Sequence, residues 1–257
     1  MAQRTTQSIR HEYEIYVERE IEDYKESVPR SVLLSIGDEA VASLRAQEQM
    51  ALDEMVLWDE VDRIIKLRIR VPIYQTWRRR RLKTLSRYRQ PAHWGLQPDG
   101  PIVCAIQPAH ESHVLVTGAN VEGTTLYLAA HGCEVTALEP AAEVVERVLT
   151  AAEAAGLTTR VHGCVSDLSN WNPDLPLQAV VCSAGAFGGL SRVGRARVIE
   201  LLQGATTMGG VHLVDTQAVG QSAVTLDELR ARYAGWDVTV ERPGESTPSF
   251  LARKTIA

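Results

Sequence analysis

His113–Pro140, HVLVTGANVEGTTLYLAAHGCEVTALEP, is the stretch whose reading decides the fold. His113–Val116 is a short apolar run that reads as a buried strand. Gly118 and Gly123 bracket a turn, and Thr124–His131 follows as a helix. Its two leading threonines are expected to cap it, with its N-terminal amides facing a carboxylate or phosphate. Gly132 ends that helix, and Cys133–Leu138 forms a second strand ending in the acid Glu139. Strand, glycine turn, helix, strand and terminal acid make up the ligand-binding end of an open α/β sheet.

Downstream, the alternation continues. Pro140 opens a helix running past Leu149 to Gly156, and Arg160–Cys164 is a third strand, followed by Ser166, Asp167 and Leu168. Gln178–Cys182 is a fourth strand, followed by the small-residue loop SAGAFGGLSR. A helix over Val193–Gln203 leads through a Gly209-Gly210 turn to a fifth strand, Val211–Asp215. A helix over Leu226–Tyr233 precedes two final strands, Trp236–Glu241 and Ser249–Lys254. Two consecutive strands at the end predict an antiparallel close to a largely parallel sheet of seven strands.

Upstream, residues 1–95 lack strand alternation and read as an all-α domain. Helices are expected over Glu12–Ser27, from a Gly37-Asp38 turn with Asp38 as cap, over Gln47–Arg70, and over Tyr74–Tyr88. The proline- and glycine-rich segment around residues 96–108 is the expected linker, so the sheet domain spans 109–257. Charge in the helical domain is segregated. Residues 12–62 are rich in acids, whereas residues 63–89 contain none and carry eleven lysines and arginines. A nucleic-acid partner would use Arg78–Arg81, with Trp77 and Tyr88 for stacking. The simpler expectation is a solvated face paired with the acidic helices beside it. These helices are also expected to cover a ligand or to join two subunits as a homodimer.

Composition narrows the class. The 257 residues are 45% apolar and 23% charged with a net charge of -5, which argues against a general nucleic-acid binder. Cys104, Cys133, Cys164 and Cys182 form no C-x-x-C pair, and the polar N-terminus shows no leader peptide. No apolar run approaches a membrane span, so a cytoplasmic protein with reduced thiols is expected. His110 and His113 have a metal-like spacing, but no cysteine or further acid accompanies them, and no metal is expected.

The order of elements, and TGANVEGTTLYLAAHGCEVTALEP in particular, resembles the class I S-adenosylmethionine-dependent methyltransferases, above all the tellurite-resistance type. The resemblance covers roughly residues 105–257 and implies a Rossmann-like fold. It also implies transfer of a methyl group from S-adenosylmethionine to a small-molecule acceptor, leaving S-adenosylhomocysteine. The methionine end would lie on Gly118, Ala119 and Asn120, ahead of Gly123. Glu139, followed by Pro140, would hold the ribose. Asp167 and the Leu168 amide would take the adenine, and the loop from Ser183 and Ala184 onward would line the methyl pocket, with Phe187 as its wall. No catalytic base is identified. Val116 and Asn120 replace the family's usual acid and glycine, which opens a second reading, a degenerate fold that binds without catalysis. A dehydrogenase reading lacks its tyrosine-lysine pair: Tyr127 is followed four residues later by His131, and Tyr233 by Asp237.

Overall fold

A computed structural model describes residues 8–46, 54–106, 112–118, 120–216, 224–241 and 249–255. The chain divides into two compact units, residues 1–84 and 85–257.

The first unit is helical. α1 (Ile9–Ser27) is capped by Ser8, whose hydroxyl accepts from the His11 amide at 3.2 Å. α2 (Arg30–Ala46) runs straight through Gly37 and Asp38, where a turn was expected. Ile36, Ala40 and Leu44 recur at four-residue spacing and are all buried, and that apolar stripe outweighs the cost of about 1 kcal/mol for one helical glycine. Pro29 separates α1 from α2, and its carbonyl accepts the first amides of α2, 2.9 Å from Val32 N. α3 (Glu54–Arg68) lies within the expected third helix, whose residues 47–53 fall outside the described set. In it Arg63 donates twice to Glu60 at 2.7 Å, and with a Ser43 hydrogen bond this holds the carboxyl down at about 2. α4 (Tyr74–Tyr88) has the expected bounds. Tyr13, Tyr16, Tyr74 and Trp77 join α1 to α4 with ring centroids 5.4–6.4 Å apart.

The second unit begins inside the segment expected as the end of the helical domain. Two prolines, one just ahead of the expected linker and one within it, start helices instead of preventing them, because the first helical position needs no N–H. Pro91 opens a 3₁₀ turn to Trp94, and Pro101 opens α5 (Pro101–Ala105). Leu96, Ala105 and Ile106 are buried, so this stretch belongs to the folded sheet unit.

The sheet has seven strands: β1 (His113–Thr117), β2 (Glu134–Glu139), β3 (Val161–Val165), β4 (Leu177–Ser183), β5 (Thr206–Asp215), β6 (Asp237–Glu241) and β7 (Ser249–Arg253). Their order is β3-β2-β1-β4-β5-β7-β6, with only the pairs made by β7 antiparallel. Alternate residues pack on opposite faces. Val114, Val116, Val135, Ala137 and Val181 lie in one core with α6 (Val121–Ala130) and α7 (Ala142–Ala154). Leu115, Leu138, Val180, Cys182 and Val214 lie in the other with α8 (Arg192–Ala205) and α9 (Leu226–Arg232). Burial on both faces is what a parallel sheet requires.

β5 is longer than expected. Gly209 and Gly210 lie inside the strand, not in a turn before it, and the register with β4 shifts between Leu177 and Ala179. The Gly209 φ of +76° supplies the kink of a bulge, and its amide reaches the Lys254 carbonyl at 2.9 Å. Behind this bend Thr206, His212 and Tyr233 are linked in the core. Thr206 Oγ1 donates to the Leu202 carbonyl at 2.7 Å and so accepts from His212 Nε2 at 2.6 Å. His212 Nδ1 then accepts from the Tyr233 hydroxyl at 2.6 Å. Burial, with Lys254 nearby, lowers the imidazole to about 3, and burial also raises the Tyr233 phenol. Tyr233 is thus a structural residue. Tyr127, the other tyrosine weighed for a dehydrogenase, is buried against His131 at 4.4 Å.

Candidate functional site at the carboxyl edge of the sheet

The parallel strands end in register. Thr117 lies opposite Leu138 and Cys182, Glu139 opposite Val165, and Ser183 opposite Asp215. One edge therefore gathers Gly118, Glu139, Ser183, Asp215 and the turn holding Asp167.

Gly118 is the tightest point. Its φ is +90°, and a Cβ there would collide with Ser183 Oγ and lie 2.9 Å from Ser183 Cβ. Only glycine fits without moving β4 or β1. The Gly118 amide donates to Glu139 Oε1, tying the turn after β1 to the acid that ends β2. Glu139 is half-buried, and that burial raises its carboxyl while the Gly118 hydrogen bond opposes the rise. Among the described residues Gly118 is the only partner of this carboxylate. Pro140 beside it is exposed.

Asn120 takes the left-handed conformation, φ 55° and ψ 33°, immediately before α6. Asparagine is among the non-glycine residues that tolerate this region best, so the chain turns here as a glycine would. Ala119 lies outside the described residues. α6 begins at Val121, three residues earlier than expected, and no side chain caps it. Thr124 and Thr125, expected as caps, are interior and buried, because the helix is apolar on nearly every side. Gly123 lies under the Trp94 carbonyl, where a Cβ would come within 2.5 Å. Val116 is 1% exposed within the core, so it offers no polar group to the edge.

Asp167 is exposed and serves first as the cap of its own turn. Its Oδ1 accepts from the Ser169 hydroxyl at 2.6 Å and from the Ser169 and Asn170 amides at 2.9 and 3.0 Å, which lowers its carboxyl. Its Oδ2 accepts only from Asn170 Nδ2, at 3.1 Å. The Leu168 side chain is buried at 2%, and its amide meets no backbone acceptor among the described residues. After β4, Ala184–Phe187 forms a 3₁₀ turn. Phe187, expected to wall a pocket, is instead 1% exposed inside the core beside Ala184. Phe187 is the only aromatic of that loop, and the core takes it, with Leu190 packed alongside.

Sequence reasoning missed Asp215. The signal was present, since VHLVD ends an apolar strand in an acid just as CEVTALE does. It also missed Trp94 as a contact of the α6 turn. Tyr13 and Tyr16 pack with Trp77 in the helical unit, and His93 and Trp94 pack with Tyr88 in the second. His113 lies 3.5 Å from Glu134, and His110 falls outside the described residues.

No protein-family model and no curated protein matches this sequence. Among solved structures it is similar to TehB from Haemophilus influenzae, at 19% identity and a TM-score of 0.51, over 61% of this chain and 62% of that one. It is also similar to a Nostoc punctiforme protein provisionally assigned as an O-methyltransferase, at 14% identity and a TM-score of 0.50, over 66% of this chain and 60% of that one. The fold is that of the class I methyltransferases. The chain spans about three fifths of each of these structures, and at such identities the likeness is one of fold. Within the methyltransferase fold, the edge carrying Gly118 and Glu139 is where ligands of open α/β sheets bind. No helix among the described residues is long and apolar enough to cross a membrane.

Proposed function

We propose that this chain binds S-adenosylmethionine at the carboxyl edge of its sheet and transfers the methyl group to a small-molecule acceptor, releasing S-adenosylhomocysteine. One observation carries the reading: the Gly118 turn, closed to any side chain by Ser183 and fastened to the half-buried carboxylate of Glu139. A backbone cradle beside a carboxylate held partly out of water suits a ligand with an extended polar end and vicinal hydroxyls. Gly118 and Asn120 would support the methionine end, and Glu139 would accept from the ribose. Asp167 Oδ2 and the Leu168 amide would meet the adenine, and Ser183 and Ala184 would floor the site.

When bound, the cofactor supplies an electrophilic methyl on a sulfonium. The chain's own part is to align an acceptor in line with that methyl and to exclude water. Asp215 stands at the edge one strand beyond Ser183 and is the carboxylate best placed to orient an acceptor. The turn after β4 carries no acid-proline pattern of the kind used on adenine or glutamine amino groups, which supports a small-molecule acceptor. A second reading, binding without catalysis, is favoured by Val116, a buried apolar residue where the resembled family carries an acid.

Calorimetry with S-adenosylmethionine and S-adenosylhomocysteine tests the site. Both are expected to bind, with Glu139→Ala weakening affinity by about tenfold or more, the scale of one lost charged hydrogen-bond partner. Absence of heat with either ligand at high micromolar concentration would overturn the proposal. Binding without turnover over a panel of small acceptors would select the second reading.

A further inference from the structure

Two helices of the helical unit carry opposite charge at one spacing. On α1, Glu14, Glu18, Glu22 and Glu26 recur every four residues and all are exposed. On α4, Arg79, Lys83 and Arg87 recur at the same interval, flanked by Arg78 and Arg80, and all five are exposed. Four helical residues rise about 6 Å, so the two ladders share a pitch. They do not meet within the chain. α1 and α4 touch through other faces, with Arg81 3.1 Å from Glu12 and Trp77 stacked on Tyr16. Glu14 meets only Arg10 and His11 of its own helix, and Glu22 only Lys25. Among the described residues, Glu18, Glu26 and the five cations of α4 have no ion-pair partner.

We infer that the helical unit pairs with a second copy of this chain, α1 of each copy lying along α4 of the other. A two-fold interface must be self-complementary, and one unit bearing an acidic ladder and a matching basic one meets that condition twice over. A nucleic acid fits less well, because phosphates drawn to α4 would face repulsion from the neighbouring α1 ladder. A membrane fits less well, because the aromatic side of α4 is already packed and its exposed side carries five cations but only one large apolar side chain, Leu82. Exposed ion pairs set register and partner choice more than affinity. Affinity has a separate source: seven of the twelve large apolar side chains exposed among the described residues belong to residues 8–84. Ile15 and Leu82, two of these, stand on the ladder-bearing helices.

The inference is independent of the methyltransferase reading and is tested by sedimentation of the full chain. A dimer is expected at about 50 mM salt that forms more slowly and is moderately weaker near about 1 M, where screening shortens the reach of the ladders while the apolar contacts remain. Arg79→Glu/Lys83→Glu and Glu18→Lys/Glu22→Lys should each be monomeric while keeping wild-type circular dichroism. An equimolar mixture of the two should regain the dimer, since both of its helix pairs are again opposite in sign. A monomeric wild type at low salt, a dimer that survives both reversals, or a mixture that stays monomeric would overturn it. So would a monomeric wild type that binds short RNA through Arg79 and Lys83, which would assign the basic ladder to nucleic acid.

Discussion

Helices α6 and α4 are built on the same backbone geometry and share almost nothing else. Nine of the ten residues of α6 are buried, and none of the fifteen in α4 is. VEGTTLYLAA carries one charge, whereas YQTWRRRRLKTLSRY carries six cations and leans on its neighbours along one side, through Tyr74, Trp77, Arg81, Leu85 and Tyr88. The contrast separates two duties. α6 holds the turn of the candidate site and must not move, so it is enclosed on all sides. α4 presents a surface, and its stability comes from a few contacts on one side.

This contrast can be broken at either end. Truncating Leu128 of α6 to alanine should cost about 2–5 kcal/mol by denaturant unfolding, the range for a fully buried leucine in a packed core. A loss below about 1 kcal/mol would mean that α6 is less enclosed than its burial indicates. The next effect comes from His212 in the sheet unit. Its folded value near 3 lies below the unfolded value of 6.5, so the unfolded chain binds more protons between these limits. The stabilisation is complete above pH ~6.5 and is lost at roughly 1.4 kcal/mol per pH unit as pH falls towards 3. The lowered carboxyls of Glu60 and Asp167 add a loss of the same sign, so the measurement is the difference in pH slope between wild type and His212→Phe. An unchanged slope would show that the imidazole is not held neutral. The smallest effect is on α4, where Leu82→Ala should change the stability of the monomeric chain by no more than about 0.5 kcal/mol. A larger loss would show that Leu82 is packed within its own chain.

The parts of the fold held by pattern alone were legible. β1, β2, β3 and β4 fall within one or two residues of their expected limits, because apolar runs bounded by glycine or proline leave little choice. α4 has the expected limits because Pro72 and Pro91 bracket it. The misreadings have a common cause, the use of punctuation residues without their context. Gly37-Asp38 resembles a turn, yet the stripe of Ile36, Ala40 and Leu44 continues through it. Pro91 and Pro101 resemble a linker, yet each opens a helix. At the site, Gly118 and Glu139 were visible as residues, but not the hydrogen bond that couples them or the role of Ser183 in forcing glycine at 118. Asp167 closes its own turn with one oxygen and leaves the other to Asn170 Nδ2 alone among the described residues. Phe187 could not be placed from sequence, since a lone aromatic among small residues fits a pocket wall or a core equally well.

The Thr206–His212–Tyr233 chain has one consequence of a different kind. Every hydroxyl and ring proton in it points the same way, from the phenol through the imidazole to the threonine and the Leu202 carbonyl. The proton on His212 Nε2 is buried with its ring, which is 1% exposed, and is held on Thr206 Oγ1. In a magnetic resonance spectrum it would give a far-downfield line that exchanges with solvent only when this end of the sheet comes apart. One nucleus thus times the opening of the antiparallel edge, in the native protein and without a label.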